Sequence, residues 1–206
     1  MKPTLLQQLI TDSPVCLSIM ITIFVVSVIS FIKRSLFLKL ILHPYSIVKE
    51  HQYYRIITAD LVHNDFLHLL LNEFMLITFC ANLEQFLRSK TSYGSLGFLV
   101  IYLLSCFSGA IAATIRHRKD FDYSSAGASG SIMGCMFSYI ILQPNIIAYY
   151  VPGIGAVKNI HGGLLFIIAL IIYQRRSKNT FASHEVHFFG ALGGIVTTII
   201  LFRGLL

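Results

Sequence analysis

The chain has 206 residues, 55% of them hydrophobic and only 12% charged, and a mean hydropathy of +0.73. A soluble domain carries about 25% charged residues, so this composition excludes an ordinary soluble globule and indicates a chain that crosses a membrane several times. The net charge of +7 sits mostly in short connections beside apolar runs, where Lys and Arg orient the protein and meet lipid head groups, and no interleaving of aromatic and basic residues suggests a nucleic-acid surface.

Taken in chain order, the first candidate span is 15–32, VCLSIMITIFVVSVISFI, with no charge and enough length to cross the hydrocarbon core. It is long for a signal-peptide core and no A-x-A-like site follows it, so no cleavable leader is expected. A second span is expected at 66–83, a third at 97–115, and three shorter or more polar ones at 129–143, 161–174 and 186–202. The expectation is an all-α polytopic membrane protein: six spans in a single domain over 1–206, with little room for an extra soluble domain. Cys16, Cys80, Cys106 and Cys135 all fall in apolar runs and form no C-x-x-C, so they read as buried thiols.

Polar groups inside spans are costly and each needs a reason. Three clusters stand out. In HNDFLHLLLNEF (63–74), His68 and Asn72 are i and i+4 and share a helix face with hydrogen-bond donors to offer; polar contacts between helices would also account for them. In SSAGASGSIMG (124–134), Ser129 lies between Gly127 and Gly130, and Gly130 and Gly134 form G-x-x-x-G. That spacing alone means close helix packing. A helix starting here would also aim free N–H groups at developing negative charge beside an open hydroxyl. In SHEVHFFGALGG (183–194), His184 and His187 are i and i+3 with Glu185 between, one residue short of the zinc-protease H-E-x-x-H. His187, Gly190 and Gly194 share a helix side, which puts His187 on the face that packs closest to a neighbour. Glu185 is i−2 from His187 and points elsewhere. Together the clusters offer a hydroxyl nucleophile, a base and oxyanion donors from three spans.

At these residues the chain resembles the rhomboid intramembrane serine proteases, over nearly its whole length. G-A-S-G-S-I-M-G (127–134) is similar to the family's G-x-S-G motif, H-F-F-G-A-L-G-G (187–194) to the stretch around its catalytic histidine, and H-N-D-F-L-H-L-L-L-N (63–72) to its H-x-x-x-x-H-x-x-x-N. Y-R-I-I-T-A-D-L-V-H (54–63) resembles the end of its first loop, and Glu84 matches a glutamate that braces the second span's far end. The resemblance implies Ser129 as nucleophile and His187 as general base, with His68, Asn72 and the Ser129 backbone N–H as the oxyanion hole. It implies structural support from His63, Arg55, Glu84, Gly127, Gly130, Gly190 and Gly194. The implied substrates are single-span membrane proteins, cut in or beside the span inside a water-filled cavity of the bilayer; no metal or cofactor is implied. A neutral imidazole accepts a serine proton near neutral pH, whereas a zinc site needs a third protein ligand.

The chain departs from the family pattern in places. Tyr54 stands before Arg55 where tryptophan is usual, Met133 stands where an aromatic usually stacks on the histidine, and Glu73 follows Asn72 where methionine is usual. The family orientation puts the first, third and fifth loops away from the cytosol. Those loops carry Lys or Arg at 33, 34, 39, 49, 55, 116, 118, 119, 175, 176 and 178, against 2, 88, 90, 158 and 203 on the other side, and the positive-inside rule favours the reverse. Two other readings are open: a rhomboid-like protein that binds membrane clients without cutting them, and a small transporter or metal-binding membrane protein using His63, His68, His184, His187 and Glu73.

Overall fold

Helices form wherever the chain is apolar for long enough, and the connections carry the breaks. The computed structural model describes residues 4–151, 153, 155–176 and 184–206. A short helix α1 (Leu5–Asp12), capped by the Thr4 and Gln7 box, leads into α2 (Pro14–Ile32), which starts with Pro at its first position. Three short helices follow in the first connection: α3 (Arg34–Leu40), α4 (Pro44–Lys49) and α5 (Arg55–Thr58), then a 3-10 turn over Ala59–Leu61. Next come α6 (Phe66–Met75), a π-helical segment Leu76–Ala81, and α7 (Asn82–Lys90), which together make one apolar rod. Then follow α8 (Gly94–His117), α9 (Ser129–Leu142), α10 (Asn159–Arg176) and α11 (His184–Leu201).

Among the described residues, four helices are long and apolar enough to cross a membrane: Pro14–Ile32, Phe66–Lys90, Gly94–His117 and His184–Leu201. The rod expected at 66–83 runs on to Lys90, because the π segment widens the helix without ending it. Sequence periodicity did not reveal an antiparallel hairpin, β1 (Ile147–Val151) with β2 (Gly155–Lys158), between α9 and α10. It turns through Gly153 and Gly155, both at positive φ, a conformation open to glycine.

The polarity is that of a protein whose solvent is lipid. Large apolar side chains such as Phe24, Ile32, Phe74, Ile115 and Ile200 lie on the outside, while Ser27, Ser30, Ser105, Ser138 and Thr198 are buried. Small and hydroxyl-bearing residues let helices approach and bond across the contact. Ser138 Oγ donates to the carbonyl of Gly134 on its own helix and to that of Gly194 on α11. α11 packs on both α8 and α9. The α9–α11 crossing is so close that a Cβ at Gly190 would meet the Gly130 carbonyl, and one at Gly194 the Gly134 carbonyl. The glycine spacing therefore does the packing work that its sequence implies.

Candidate active site

Ser129 is the first residue of α9, so the backbone N–H groups of the first turn have no partner within the helix. The helix is short. At about 1.5 Å per residue it spans about 20 Å, against about 36 Å for α8. Val186 touches both Gly109 and Gly130, which sets this end of α9 level with Gly109. From Gly109 to the end of α8 at His117 is about a further 12 Å of helix. Ser129 thus lies well inside the bundle, 4% exposed.

Its hydroxyl is 2.6 Å from His187 Nε2. Two glycine contacts set that distance: Gly130 rests against Val186, and Gly190 against the Gly130 backbone. His187 reaches Ser129 because nothing larger than hydrogen separates the two helices there. Glu185 pairs with Arg116 at 3.0 Å and lies 3.8 Å from His117 Nε2. It faces the end of α8 rather than the His187 ring, as its spacing implies.

On the other side of Ser129, Gly127 has φ +117, a region that side chains rarely adopt. A Cβ there would also come within 2.6 Å of the His68 ring. His68 is therefore seated directly against the loop that delivers Ser129. Asn72, one turn below, is buried, and its amide donates to the His68 carbonyl at 2.8 Å. The backbone N–H of His68 is capped by Asp65 at 2.7 Å, which starts α6 at this point.

His63 is fully buried and edge-on to His68, with ring centroids 4.9 Å apart. Its Nδ1 is 2.9 Å from the Ser27 hydroxyl, which itself donates to the Leu61 carbonyl. Nδ1 therefore carries the hydrogen, and Nε2 accepts from the Ala128 N–H at 3.4 Å. Burial, with the His68 ring beside it, holds the His63 pKa well below the usual histidine value, so the ring is neutral near pH 7.

A family model described as Rhomboid domain matches residues 50–204. The chain belongs to the rhomboid family. It is an integral, multi-pass membrane protein. It is 32% identical over 46% of its length to RHOMBOID-like protein 6, mitochondrial, of Arabidopsis thaliana, covering 29% of that protein. It is 33% identical over 44% of its length to Rhomboid protease GluP of Bacillus subtilis, covering 16% of it, and 33% identical over 46% to Putative rhomboid protease YdcA of the same organism, covering 44%. The chain thus spans less than half the length of each of these relatives.

The remaining candidate residues of this rhomboid sit further out. The Arg55 guanidinium donates to the carbonyls of Leu38 and Ile41, both at 2.9 Å, and to the Gln52 side chain at 2.6 Å, tying the first connection to itself. Glu84 is fully buried at the opposite end of the bundle and accepts from Val15 N–H, Cys16 N–H and the Ser95 hydroxyl. Met133 is buried in the main apolar cluster. Among the described residues, no three His, Cys, Asp or Glu side chains converge as a metal site would require. Asp60 and Ser131, which hydrogen-bond beneath the turn that carries Ser129, were not evident from motif spacing. The available signal was a lone acid inside the apolar stretch 56–62, IITADLV.

Proposed function

We propose that this rhomboid is an intramembrane serine endopeptidase, cleaving single-span membrane proteins in or next to their transmembrane segment through Ser129 and His187. The observation that carries the reading is the 2.6 Å contact between Ser129 Oγ and His187 Nε2, at a helix start that lies inside the bundle. In this reading His187 takes the Ser129 proton as Oγ attacks the substrate carbonyl carbon. The carbonyl π bond opens and leaves the negative charge on its oxygen.

In this reading that oxygen is stabilised by donors that lie beside Ser129. The Ser129 N–H has no partner within its own helix, the His68 ring sits against Gly127, and Asn72 has a second amide hydrogen besides the one given to His68. Collapse breaks the peptide C–N bond, and the His187 proton goes to the departing amine. Water, with His187 again as base, then hydrolyses the acyl-serine. In this reading the dyad works without a carboxylate, and Glu185, two residues before His187, pairs with Arg116 instead.

The test is labelling of the purified full chain with a fluorophosphonate serine probe, beside Ser129→Ala and His187→Ala. Labelling that is lost in both variants supports the reading. A folded wild-type protein that neither labels nor cuts single-span reporters, yet still captures them, replaces it with the client-binding one.

A further inference from the structure

Asp60 is a carboxylic acid in an otherwise apolar stretch, 8% exposed, and nothing in the proposed chemistry uses it. Burying such a group is costly unless it is bonded. The Ser131 hydroxyl donates to its Oδ2, and Tyr102 and Cys106 of α8 lie beside it. Ser131 does not make the local bond that several other buried hydroxyls of α8, α9 and α11 make. Ser105, Thr114, Ser138 and Thr197 each return their hydroxyl to the carbonyl four residues back, the local alternative open to any helical serine or threonine. Ser131 instead bonds to a side chain 71 residues away.

The position matters for the nucleophile. At 3.6 residues per turn, Ser131 lies about 200° around the α9 axis from Ser129. Asp60 therefore grips the first turn of α9 from the side opposite His187. The same segment also bonds the residues just before Ser129: Gly127 N–H donates to the Ala59 carbonyl at 3.0 Å, and Ala128 N–H to His63 Nε2. Thr58, next to it, is anchored to the Leu40 carbonyl at 2.9 Å. The turn carrying Ser129 is thus held at residues 127, 128 and 131 by one short stretch, 59–63.

We infer that Asp60 is a positioning residue for the nucleophile: by accepting the Ser131 hydroxyl it fixes the rotation of the first turn of α9, so that Ser129 meets His187. This rests on Ser129 being the nucleophile. Loss of the bond lets the turn rotate about the helix axis, which moves Oγ off the imidazole while leaving the substrate path intact.

The experiment measures fluorophosphonate inactivation of the full chain in lipid vesicles, separating the maximal rate from the half-saturating probe concentration. The proteins are wild type, Asp60→Ala, Asp60→Asn, Ser131→Ala and the Asp60→Ala/Ser131→Ala double variant. The expected result is a maximal rate roughly tenfold lower in both alanine variants, with half-saturation little changed and the double variant no worse than either single. Asp60→Asn, which keeps an acceptor for Ser131, retains most of the rate. A wild-type rate in folded Asp60→Ala overturns the inference, as do single losses that multiply in the double variant. If Asp60→Ala does not fold, Ser131→Ala decides alone, and a wild-type rate there is equally fatal. No labelling of folded wild type instead overturns the nucleophile reading, and this inference with it.

Discussion

Gly190 lies against the backbone of Gly130 closely enough that a Cβ on it would run into the Gly130 carbonyl and Cα. One residue before Gly130 is Ser129, and one turn before Gly190 is His187, 2.6 Å from the Ser129 hydroxyl. The contact therefore sets the spacing of two helices and the reach of an imidazole together. Gly190→Ala is expected to push α11 from α9 at this level, at a cost of about 1–3 kcal/mol. Because the displacement falls on the proposed dyad, labelling by a serine probe should fall much further than the folded fraction does. Thermal unfolding in detergent beside the labelling rate checks this; parallel loss of both would mean the glycine serves stability alone.

Gly127 makes a separate claim on the same site. Its φ of +117 and the His68 ring 2.6 Å from where a Cβ would sit both forbid a side chain. Gly127→Ala should displace His68, and with it one proposed oxyanion donor, without touching His187. The expected signature is a fall in the maximal rate of roughly a hundredfold, the scale of losing one oxyanion donor. The Ser129–His187 pair would remain in hydrogen-bond contact, so the His187 imidazole NMR signals should still change on Ser129→Ala in the Gly127→Ala background. Their insensitivity would show that the loop delivers Ser129 itself.

Far from this site, Glu84 acts as a cap supplied by another helix. The first N–H groups of α2 have no partner in their own helix, and Ser13 makes no side-chain cap there. Glu84 accepts from Val15 and Cys16 at 3.2 and 2.7 Å and takes the Ser95 hydroxyl at 2.6 Å, so one carboxyl group joins α2, α7 and α8. Glu84→Ala should destabilise by about 1–3 kcal/mol for each buried donor it leaves unpaired, and Glu84→Gln by less. The folded fraction that remains should label at the wild-type rate. A slowed rate in folded protein would mean that this end is coupled to the site.

How far the site was legible follows from what kind of signal each residue leaves. Gly130, Gly134, Gly190 and Gly194 repeat at helical spacing, so their close crossing could be read directly from the chain. The contact between Ser129 and His187 joins residues 58 apart; only the resemblance, not periodicity, put them together. Asp60 and Ser131 lie inside the stretches 54–63 and 127–134, but neither carries a role there, and their bond depends on where the first connection folds back under α9. The hairpin of β1 and β2 was missed because its strands are short and its register is irregular between Ile147 and Tyr149. The first connection, 33–65, held more structure than its composition implied: three short helices and a 3-10 turn, stitched by Arg55 and Thr58 to backbone carbonyls.

The first connection also carries a titrating group, and its sign can be worked out. Burial raises the Asp60 pKa from 3.8 to about 6, against the opposing effect of the Ser131 hydrogen bond and of the neighbouring Tyr102 and Cys106. Between those two values the folded protein holds a proton that the unfolded chain has released. Its contribution to stability is therefore fully present below about pH 4 and is lost as the pH rises through about 6. Asp60→Asn keeps the shape and an acceptor for Ser131 but cannot ionise. The stability of Asp60→Asn relative to wild type should accordingly climb as pH rises from 4 to about 7 and then level off. Buried, neutral His63 acts in the opposite sense, weakening the fold as pH falls below the usual histidine value of 6.5, but it does so in both proteins and cancels in the comparison. Thermal unfolding of the two proteins across this range measures the difference. A gap that stays flat with pH would mean that Asp60 keeps one protonation state throughout.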